Sequence, residues 1–157
     1  MITVTGPLTG QSTVAETILR ALPDWFGVEA ATLAYIAQAD VLPTFVAKAG
    51  EAPVGFLTLR RHSPDAAEIT VMGVLPTAHR RGVGKALLAA AEAYLRQTQT
   101  RFLQVKTLSP RNPDPNYAAT RRFYEAQGFC RLEEFPELWD ADNPCLQLIK
   151  YLHPEAP

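Results

Sequence analysis

The chain has 157 residues, and its 15 basic and 16 acidic side chains leave a formal net charge of −1. This length suits one domain, residues 1–157, and the balanced charge excludes the broad basic surface typical of nucleic-acid binding. No apolar run approaches the roughly 20 residues of a membrane span, and the first residues do not resemble a signal sequence. Cys130 and Cys145 form no C-x-x-C pair, so we expect reduced thiols in a cytoplasmic protein.

The apolar periodicity predicts a mixed α/β domain, a sheet flanked by helices in the order β-α-α-β-β-β-α-β-α-β-β. The first half is predicted to hold a strand at 1–5, a helix opening on a capping box at Thr13, a helix at 28–39 and strands at 43–48 and 54–60. The second half is predicted to hold the strand of Glu68, a helix opening at Gly84, a strand at 102–108, a helix at 117–127 and strands at 129–135 and 145–152.

The segment 68–97 carries the most chemical information. A β-branched run leads into a loop with glycines at 82 and 84, and an Ala- and Leu-rich helix follows directly. The first amides of a helix have no internal partner and the helix dipole adds positive charge there, while Gly82 and Gly84 let a ligand approach the backbone. Charge-assisted donors surround these glycines: Arg80, Arg81 and Lys85. The segment therefore predicts a site for a phosphate or pyrophosphate.

Two nucleotide-binding motifs fail in this loop. A dinucleotide-binding G-x-G-x-x-G would need glycine where Leu87 stands, and a P-loop would need Ser or Thr at Ala86 and glycine at His79. The loop instead resembles the coenzyme A pyrophosphate loop of the GNAT N-acetyltransferases, Q/R-x-x-G-x-G/A, with His79 in place of the usual Gln or Arg. Because the predicted element order is also that of GNAT proteins, the resemblance spans essentially the whole chain.

The resemblance implies that acetyl-CoA is the cosubstrate and that it lies between the strand of Glu68 and the strand at 102–108. The pantetheine arm would pair with the backbone of the first strand until Pro76, which has no amide proton. An amide near Val74 would stabilise the oxyanion. The implied coenzyme-binding residues are Met72, Val74, Leu75, His79, Arg80, Arg81, Gly82, Val83, Gly84 and Lys85.

The stretch 121–129 resembles a second GNAT signature, a helix ending in FYE-x-x-GF. In that family the tyrosine often lies near the coenzyme sulfur, which implies that Tyr124 protonates the departing thiolate. A phenol with its usual pKa of about 10 is protonated at neutral pH and can donate. The alternative is a tyrosine that only packs its helix on the sheet. Asn116 is expected to cap this helix, with Gly128 at its end.

Glu68 is the candidate general base, because it precedes Gly82 by the spacing at which histone-type GNAT enzymes place a glutamate. Strand alternation predicts that Glu68, Thr70, Met72 and Val74 share one face of the sheet. Its carboxylate could take a proton from an ammonium group directly or through water. The alternatives are an exposed glutamate at a strand start, and deprotonation by a water chain without it.

The acceptor is the least specified part of the site. Acidic residues between 132 and 149 and the aromatic residues Trp25, Phe26 and Trp139 favour a small cationic amine. The open alternatives are an aminoglycoside-like compound, an amino acid, and a protein or peptide amine at an N-terminus or a lysine. The alternative is a solvated acidic loop at 136–144 whose Trp139 closes the core. The proline-rich loop at 109–116 either borders the acceptor or only connects two elements. The acidic residues are Glu133, Glu134, Glu137, Asp140 and Asp142.

The chemistry implied is direct acetyl transfer to a primary amine, because no G-x-S-x-G motif supports an acyl-enzyme. No metal is expected, since His62, His79 and His153 are far apart in sequence and have no ligand-like spacing. Two other classes of function are open: a coenzyme-binding regulatory module without catalysis, and an interaction domain that binds no coenzyme. The apolar strand at 145–152 fits a homodimer interface as well as a buried place in the sheet.

Overall fold

The computed structural model describes residues 1–154. Its elements follow the order predicted from the sequence, with one short 3-10 helix at Pro76–Ala78 added. The strands are β1 (Ile2–Leu8), β2 (Thr44–Ala49), β3 (Ala52–Arg61), β4 (Ala66–Val74), β5 (Phe102–Leu108), β6 (Cys130–Asp140) and β7 (Asn143–Tyr151). The helices are α1 (Ser12–Arg20), α2 (Glu29–Val41), α3 (Val83–Gln97) and α4 (Pro115–Ala126).

All seven strands form one sheet in the order β1-β2-β3-β4-β5-β7-β6. Only β4 and β5 pair in parallel, and α3 provides the crossover between them. The apolar final strand β7 lies between β5 and β6, so its place in the sheet accounts for its composition. No helix among the described residues is long and apolar enough to cross a membrane.

Two apolar clusters cover the two faces of the sheet. Helices α3 and α4 pack on one face, with Leu87, Leu103 and Tyr124 among the buried residues. Helices α1 and α2 pack on the other, over Phe56 of β3 and Val71 of β4. The half of that second face formed by β5 and β7 mixes polar side chains with apolar ones such as Phe102 and Ile149, and most of them are only half-buried. This asymmetry leaves one side of the β4–β5 junction open to a ligand.

A bulge in β4 overturns the predicted shared face of Glu68, Thr70, Met72 and Val74. Thr58 of β3 pairs with Val71 and Leu59 pairs with Ile69, so Thr70 is an extra residue in the ladder. The extra residue reverses the alternation. Met72 and Val74 pack towards the α3 side, whereas Glu68 lies on the α1–α2 side. There, burial and the charge of Glu68 together raise the pKa of Tyr35 on α2.

Three local predictions are wrong at their boundaries. Asp114 caps α4, because its carboxylate accepts the amides of residues 116 and 117 at 2.8 and 3.3 Å, and Pro115 takes the first helical position. Asn116 is therefore inside the helix. The Thr13 capping box does not form, since α1 begins at Ser12 without a side-chain cap. The predicted loop at 136–144 is mostly strand, because β6 runs on to Asp140.

Candidate functional site

The gap between β4 and β5 is the centre of the site. The two strands pair from Ala66–Phe102 to Ile69–Val105, and no further pair follows although both strands continue. On the opposite edge of β4, the Leu75 amide donates to the Val54 carbonyl at 2.8 Å. Backbone groups alternate in direction along an antiparallel pair, so those of Met72 and Val74 point into the gap. An extended amide-bearing chain can pair there like an added strand.

The backbone of Leu75 is not available for the coenzyme binding that the resemblance implied. Its amide is bound to Val54, and its carbonyl accepts the amide of Ala78 at 2.9 Å. Both backbone groups are therefore used within the fold, so the structure does not support backbone pairing of the coenzyme with Leu75. The 3-10 turn that consumes them begins at Pro76, where the sequence predicted that pairing must end.

His79 faces the gap and not the anion loop. Its Nε2 lies 2.7 Å from the Val74 carbonyl oxygen, which fixes the proton on Nε2 because a carbonyl can only accept. The ring also packs edge-on against Trp25, with 5.8 Å between ring centroids. His79 therefore hydrogen-bonds to the Val74 carbonyl, one of the backbone groups in the gap, and links β4 to the α1–α2 connection through Trp25.

The loop before α3 has the geometry of an anion site. The first helical hydrogen bond runs from the Ala86 amide to the Gly82 carbonyl at 3.0 Å, so the amides from residue 83 to residue 85 have no helical acceptor. Arg80 and Gly82 both adopt positive φ, 61° and 77°, which turns the chain sharply into the helix. Its cationic side chains are exposed, and none forms an ion pair within residues 1–154: Arg80, Arg81 and Lys85.

The two glycines of this loop have different roles. A Cβ on Gly82 would meet no atom within 4 Å, so its positive φ and an open space beside it are its distinguishing features. A Cβ on Gly84 would lie 3.1 Å from the Phe123 ring and 3.9 Å from Met72. Gly84 therefore allows the start of α3 to approach α4, while Gly82 leaves room for a ligand.

We expect Gly82→Ala and Gly50→Ala to separate backbone strain from ligand binding. Gly50 also has a positive φ of 61° and open space, but it lies in the β2–β3 turn. Both substitutions should lower the free energy of unfolding by about 1 kcal/mol, measured by chemical denaturation. Only Gly82→Ala should weaken acetyl-CoA binding in calorimetry, because its methyl group enters the space beside the free amides. Equal coenzyme affinity in the two variants would contradict the assigned position.

Tyr124 lies on the α3–α4 side of the gap. It is 4% exposed, packs edge-on against Phe123 and Phe129, and has no hydrogen-bond partner within residues 1–154. Burial raises its pKa well above the usual 10.0, so the phenol is protonated across the physiological range. Arg121, one turn earlier, donates to the Leu108 carbonyl at 2.6 Å and holds α4 against the end of β5. The structure thus supplies a fixed, protonated hydroxyl with its donor capacity unused.

Thr107 is a residue that the sequence reasoning missed. It is 5% exposed, and its hydroxyl is one of two buried side-chain atoms without a partner among the described residues. It lies on β5 beyond the last β4–β5 pair, on the same face as Val105 and Tyr124. An orphaned hydroxyl at this position fits a ligand that brings its own amide groups, as the pantetheine arm does.

Glu68 lies on the opposite side of the gap, within a charged cluster. Its Oε1 is 2.7 Å from His62 Nε2, and its Oε2 accepts from Lys106 Nζ at 3.1 Å. Its side chain is 12% exposed, while that of His62 is 40% exposed. The cluster is therefore a half-buried carboxylate with one route to solvent through an imidazole.

Trp25 closes one end of the gap by bridging to α4. Its backbone carbonyl accepts from the Tyr117 hydroxyl at 2.5 Å, and its Nε1 donates to Thr120 Oγ1 at 3.2 Å. Burial raises the pKa of Tyr117 to about 12, which keeps this donor protonated. No local pattern could predict contacts between residues more than 90 positions apart. Phe26, the neighbour of Trp25, packs edge-on against Tyr35 of α2, with 6.0 Å between ring centroids.

The acidic residues near the end of the chain have several separate roles. Glu134 accepts from Ser109 and pairs with Arg111 at 2.9 Å, and both contacts lower its pKa. Asp140 accepts the amides of Asp142 and Asn143, so it builds the β6–β7 turn. The remaining members of the set are exposed: Glu133, Glu137 and Asp142.

Trp139 is 46% exposed on β6, so it does not close the core. The loop at 109–116 does more than connect two elements, since Asn112 donates to the Asp142 carbonyl at 3.0 Å. Together with the β6–β7 hairpin it lines an open depression of about 430 Å³. Among residues 1–154 no cluster of His, Cys, Asp or Glu has the arrangement of a metal site.

Comparisons with known proteins bear on the family and the fold of this chain. A mycothiol acetyltransferase from Actinosynnema mirum is 30% identical over 87% of this chain, and the chain spans 37% of that relative's length. A solved putative GNAT acetyltransferase from Desulfovibrio desulfuricans superposes with a TM-score of 0.84 at 17% identity, covering 98% of this chain and 100% of that one.

A GNAT acetyltransferase from Elizabethkingia anophelis with bound acetyl-CoA superposes with a TM-score of 0.72 at 16% identity, covering 96% and 98% of the two chains. These structures confirm the mixed α/β fold expected from the sequence. The family model described as acetyltransferase (GNAT) matches residues 14–129, a stretch that includes β4, the glycine loop and α4. The chain is therefore a member of the GNAT acetyltransferase family, whose general activity is acetyl transfer from acetyl-CoA to amines.

Proposed function

We propose that this protein binds acetyl-CoA in the β4–β5 gap and transfers its acetyl group directly to a primary amine. The observation that carries the proposal is the position of the gap between two unlike groups. Tyr124, a protonated hydroxyl without a partner, lies on the α3–α4 side, and Glu68, a carboxylate with a route to solvent, lies on the other. The start of α3, with its free amides, approaches this part of β4, since a Cβ on Gly84 would lie 3.9 Å from Met72.

The residues divide into binding and chemical roles. The amides of residues 83 to 85 and the exposed cations of the loop bind the pyrophosphate, while Met72, Val74 and Thr107 bind the pantetheine arm. The thioester supplies an activated acetyl group. The Val74 amide, directed into the gap, stabilises negative charge on the acetyl oxygen. The structure gives Leu75 no part in this pairing, since its backbone groups are already bonded.

Two proton transfers complete the proposed reaction. Glu68 takes a proton from the ammonium form of the acceptor and passes it through His62 to solvent, which leaves a neutral amine able to form the new C–N bond. As the C–S bond breaks, Tyr124 gives its proton to the thiolate and regains one from the acylated nitrogen. The products are an N-acetylated amine, coenzyme A and one released proton. A small cationic amine and a peptide amine both meet this requirement.

The test is release of coenzyme A thiol from acetyl-CoA over a panel of amino acids, diamines, aminoglycosides and peptides. At least one primary amine should release thiol with saturation kinetics, and its N-acetyl product should be found by mass spectrometry. Binding of acetyl-CoA without turnover on any amine would instead favour a regulatory coenzyme-binding module.

The free thiols of Cys130 and Cys145 support a reducing compartment such as the cytoplasm for this activity.

A further inference from the structure

The charged cluster around Glu68 indicates which chemical class of acceptor the site can bind. This inference rests on the proposed acetyl transfer. Lys106 is the first residue of β5 beyond the last β4–β5 pair, and Glu68 lies just before that point on β4. Their charged atoms are 3.1 Å apart, and the two side chains are 28% and 12% exposed. A preformed, half-buried ion pair therefore lies where β4 and β5 separate, on the open side of the gap. We call this point the fork.

Neutral polar groups continue the cluster on the same face. Gln147 of β7 is the direct neighbour of Lys106 and donates to Gln104 of β5. Burial and the charge of Glu68 together raise the pKa of Tyr35 on α2, which places this phenol near the cluster. Both glutamines and Tyr35 are half-buried. The surroundings thus provide hydrogen bonds but no second anion in contact with Lys106 among residues 1–154.

This arrangement discriminates between classes of amine. A purely cationic acceptor that approaches Glu68 must compete with Lys106, and it leaves the lysine half-buried beside a second positive charge. An acceptor with both an ammonium and a carboxylate can pair its ammonium with Glu68 and its carboxylate with Lys106. Every charge then keeps a partner. Because Glu68 and Lys106 touch each other, the two charges of the acceptor must also lie close together.

We infer that the acceptor is a small zwitterion of the α-amino acid type, held by Lys106 through its carboxylate and by Glu68 through its amine. Lys106 is then a specificity-determining residue, and Glu68 both binds the amine and takes its proton. Two acidic residues of β6 already have structural partners, because Glu134 accepts from Ser109 of the 109–116 loop and Asp140 accepts amides of the β6–β7 turn. One lysine and one glutamate at the fork therefore recognise the two charged groups of the acceptor.

The experiment compares free L-amino acids with their carboxamides, which keep the amine but lack the carboxylate. The series includes small, apolar, acidic and basic side chains, with diamines as a third group. In the wild-type protein kcat/KM for the best amino acid should exceed that for its amide by about tenfold or more. In Lys106→Gln this preference should fall to within about threefold, mainly through a higher KM for the amino acid.

Lys150→Gln is the matched control, because Lys150 also forms a half-buried ion pair. Its Nζ lies 2.8 Å from a carboxylate oxygen of Glu92, and this pair is away from the gap. It should keep the wild-type preference for the carboxylate. Acetylation of amides or diamines as well as of amino acids would overturn the zwitterion inference and leave acetyl transfer standing. So would a carboxylate preference that survives in Lys106→Gln. Coenzyme binding without turnover on any amine would overturn the proposed function itself, and the inference with it.

Discussion

Removing the Tyr124 hydroxyl should lower kcat by about a hundredfold or more while acetyl-CoA binding stays close to the wild-type value. Tyr124→Phe keeps the ring contacts with Phe123 and Phe129, so the fold and the pocket wall are preserved. Because the hydroxyl has no partner within residues 1–154, its loss leaves no broken hydrogen bond. The measurement is steady-state thiol release with the best amine, together with the calorimetric Kd for acetyl-CoA.

The pH profile adds a second readout for Tyr124. Burial raises its pKa above the usual 10.0, so the wild-type rate should show no loss from deprotonation of this phenol below about pH 10. Tyr94→Phe is the matched control, since Tyr94 lies on α3 and packs against Phe45 of β2, away from the gap. Its kcat should be unchanged. A Tyr124→Phe variant with the kcat of the wild type would mean that Tyr124 only packs α4 on the sheet.

Glu68→Gln should lower kcat/KM by about a hundredfold near pH 7, and the defect should shrink as the pH rises. The reason is that an α-amino group with a pKa near 8 is increasingly neutral in alkaline solution and no longer needs the protein to remove its proton. The measurement is the ratio of wild-type to variant kcat/KM from pH 7 to pH 9.5. A substitution that only disturbed packing would lower activity by a similar factor at every pH.

The control for Glu68 is Glu92→Gln, which removes another carboxylate paired with a lysine. Glu92 is 6% exposed in α3 and contacts Lys150 and Arg96. Its substitution should destabilise the fold without a pH-dependent defect in rate. If the Glu68→Gln defect is also independent of pH, the ammonium loses its proton to water and Glu68 has only a binding role.

The anion loop was predictable from sequence because its determinants are local. Gly82, Gly84 and the three cations lie within six residues, and a strand and a helix flank them directly. The same holds for the α4 signature around Tyr124. The family membership confirms both resemblances at the level of the fold. The roles assigned to individual residues stay predictions until the variants above are measured.

The face of Glu68 was not predictable, because a bulge leaves no clear mark in a β-branched run. Ile69-Thr70-Val71 has the composition of a regular strand, yet Thr70 is an extra residue in the β3–β4 ladder and reverses the alternation. A strict period of two therefore placed Glu68 beside Met72 and Val74. The error matters for mechanism, since it is the reversal that puts Glu68 and Tyr124 on opposite sides of the gap.

Other errors had a signal that was overlooked. Asp114-Pro115 is the expected pair for a helix cap followed by a first helical residue, and it precedes Asn116 directly. Pro136 suggested a loop, but β6 is the edge strand of the sheet, where proline is tolerated. The bridge from Trp25 to Tyr117 and Thr120 had no sequence signal at all, since only the folded chain brings these elements together.

Thermal unfolding with and without acetyl-CoA tests the central claim most directly, because only a folded coenzyme site is stabilised by mass action. At a coenzyme concentration about 100 times its Kd, the free energy of unfolding should rise by roughly 2.7 kcal/mol. For a chain of this length that corresponds to a rise in Tm of about 5–10 °C, and the rise should be smaller in Gly82→Ala. A Tm that does not move at millimolar acetyl-CoA would contradict the coenzyme site and the mechanism built on it.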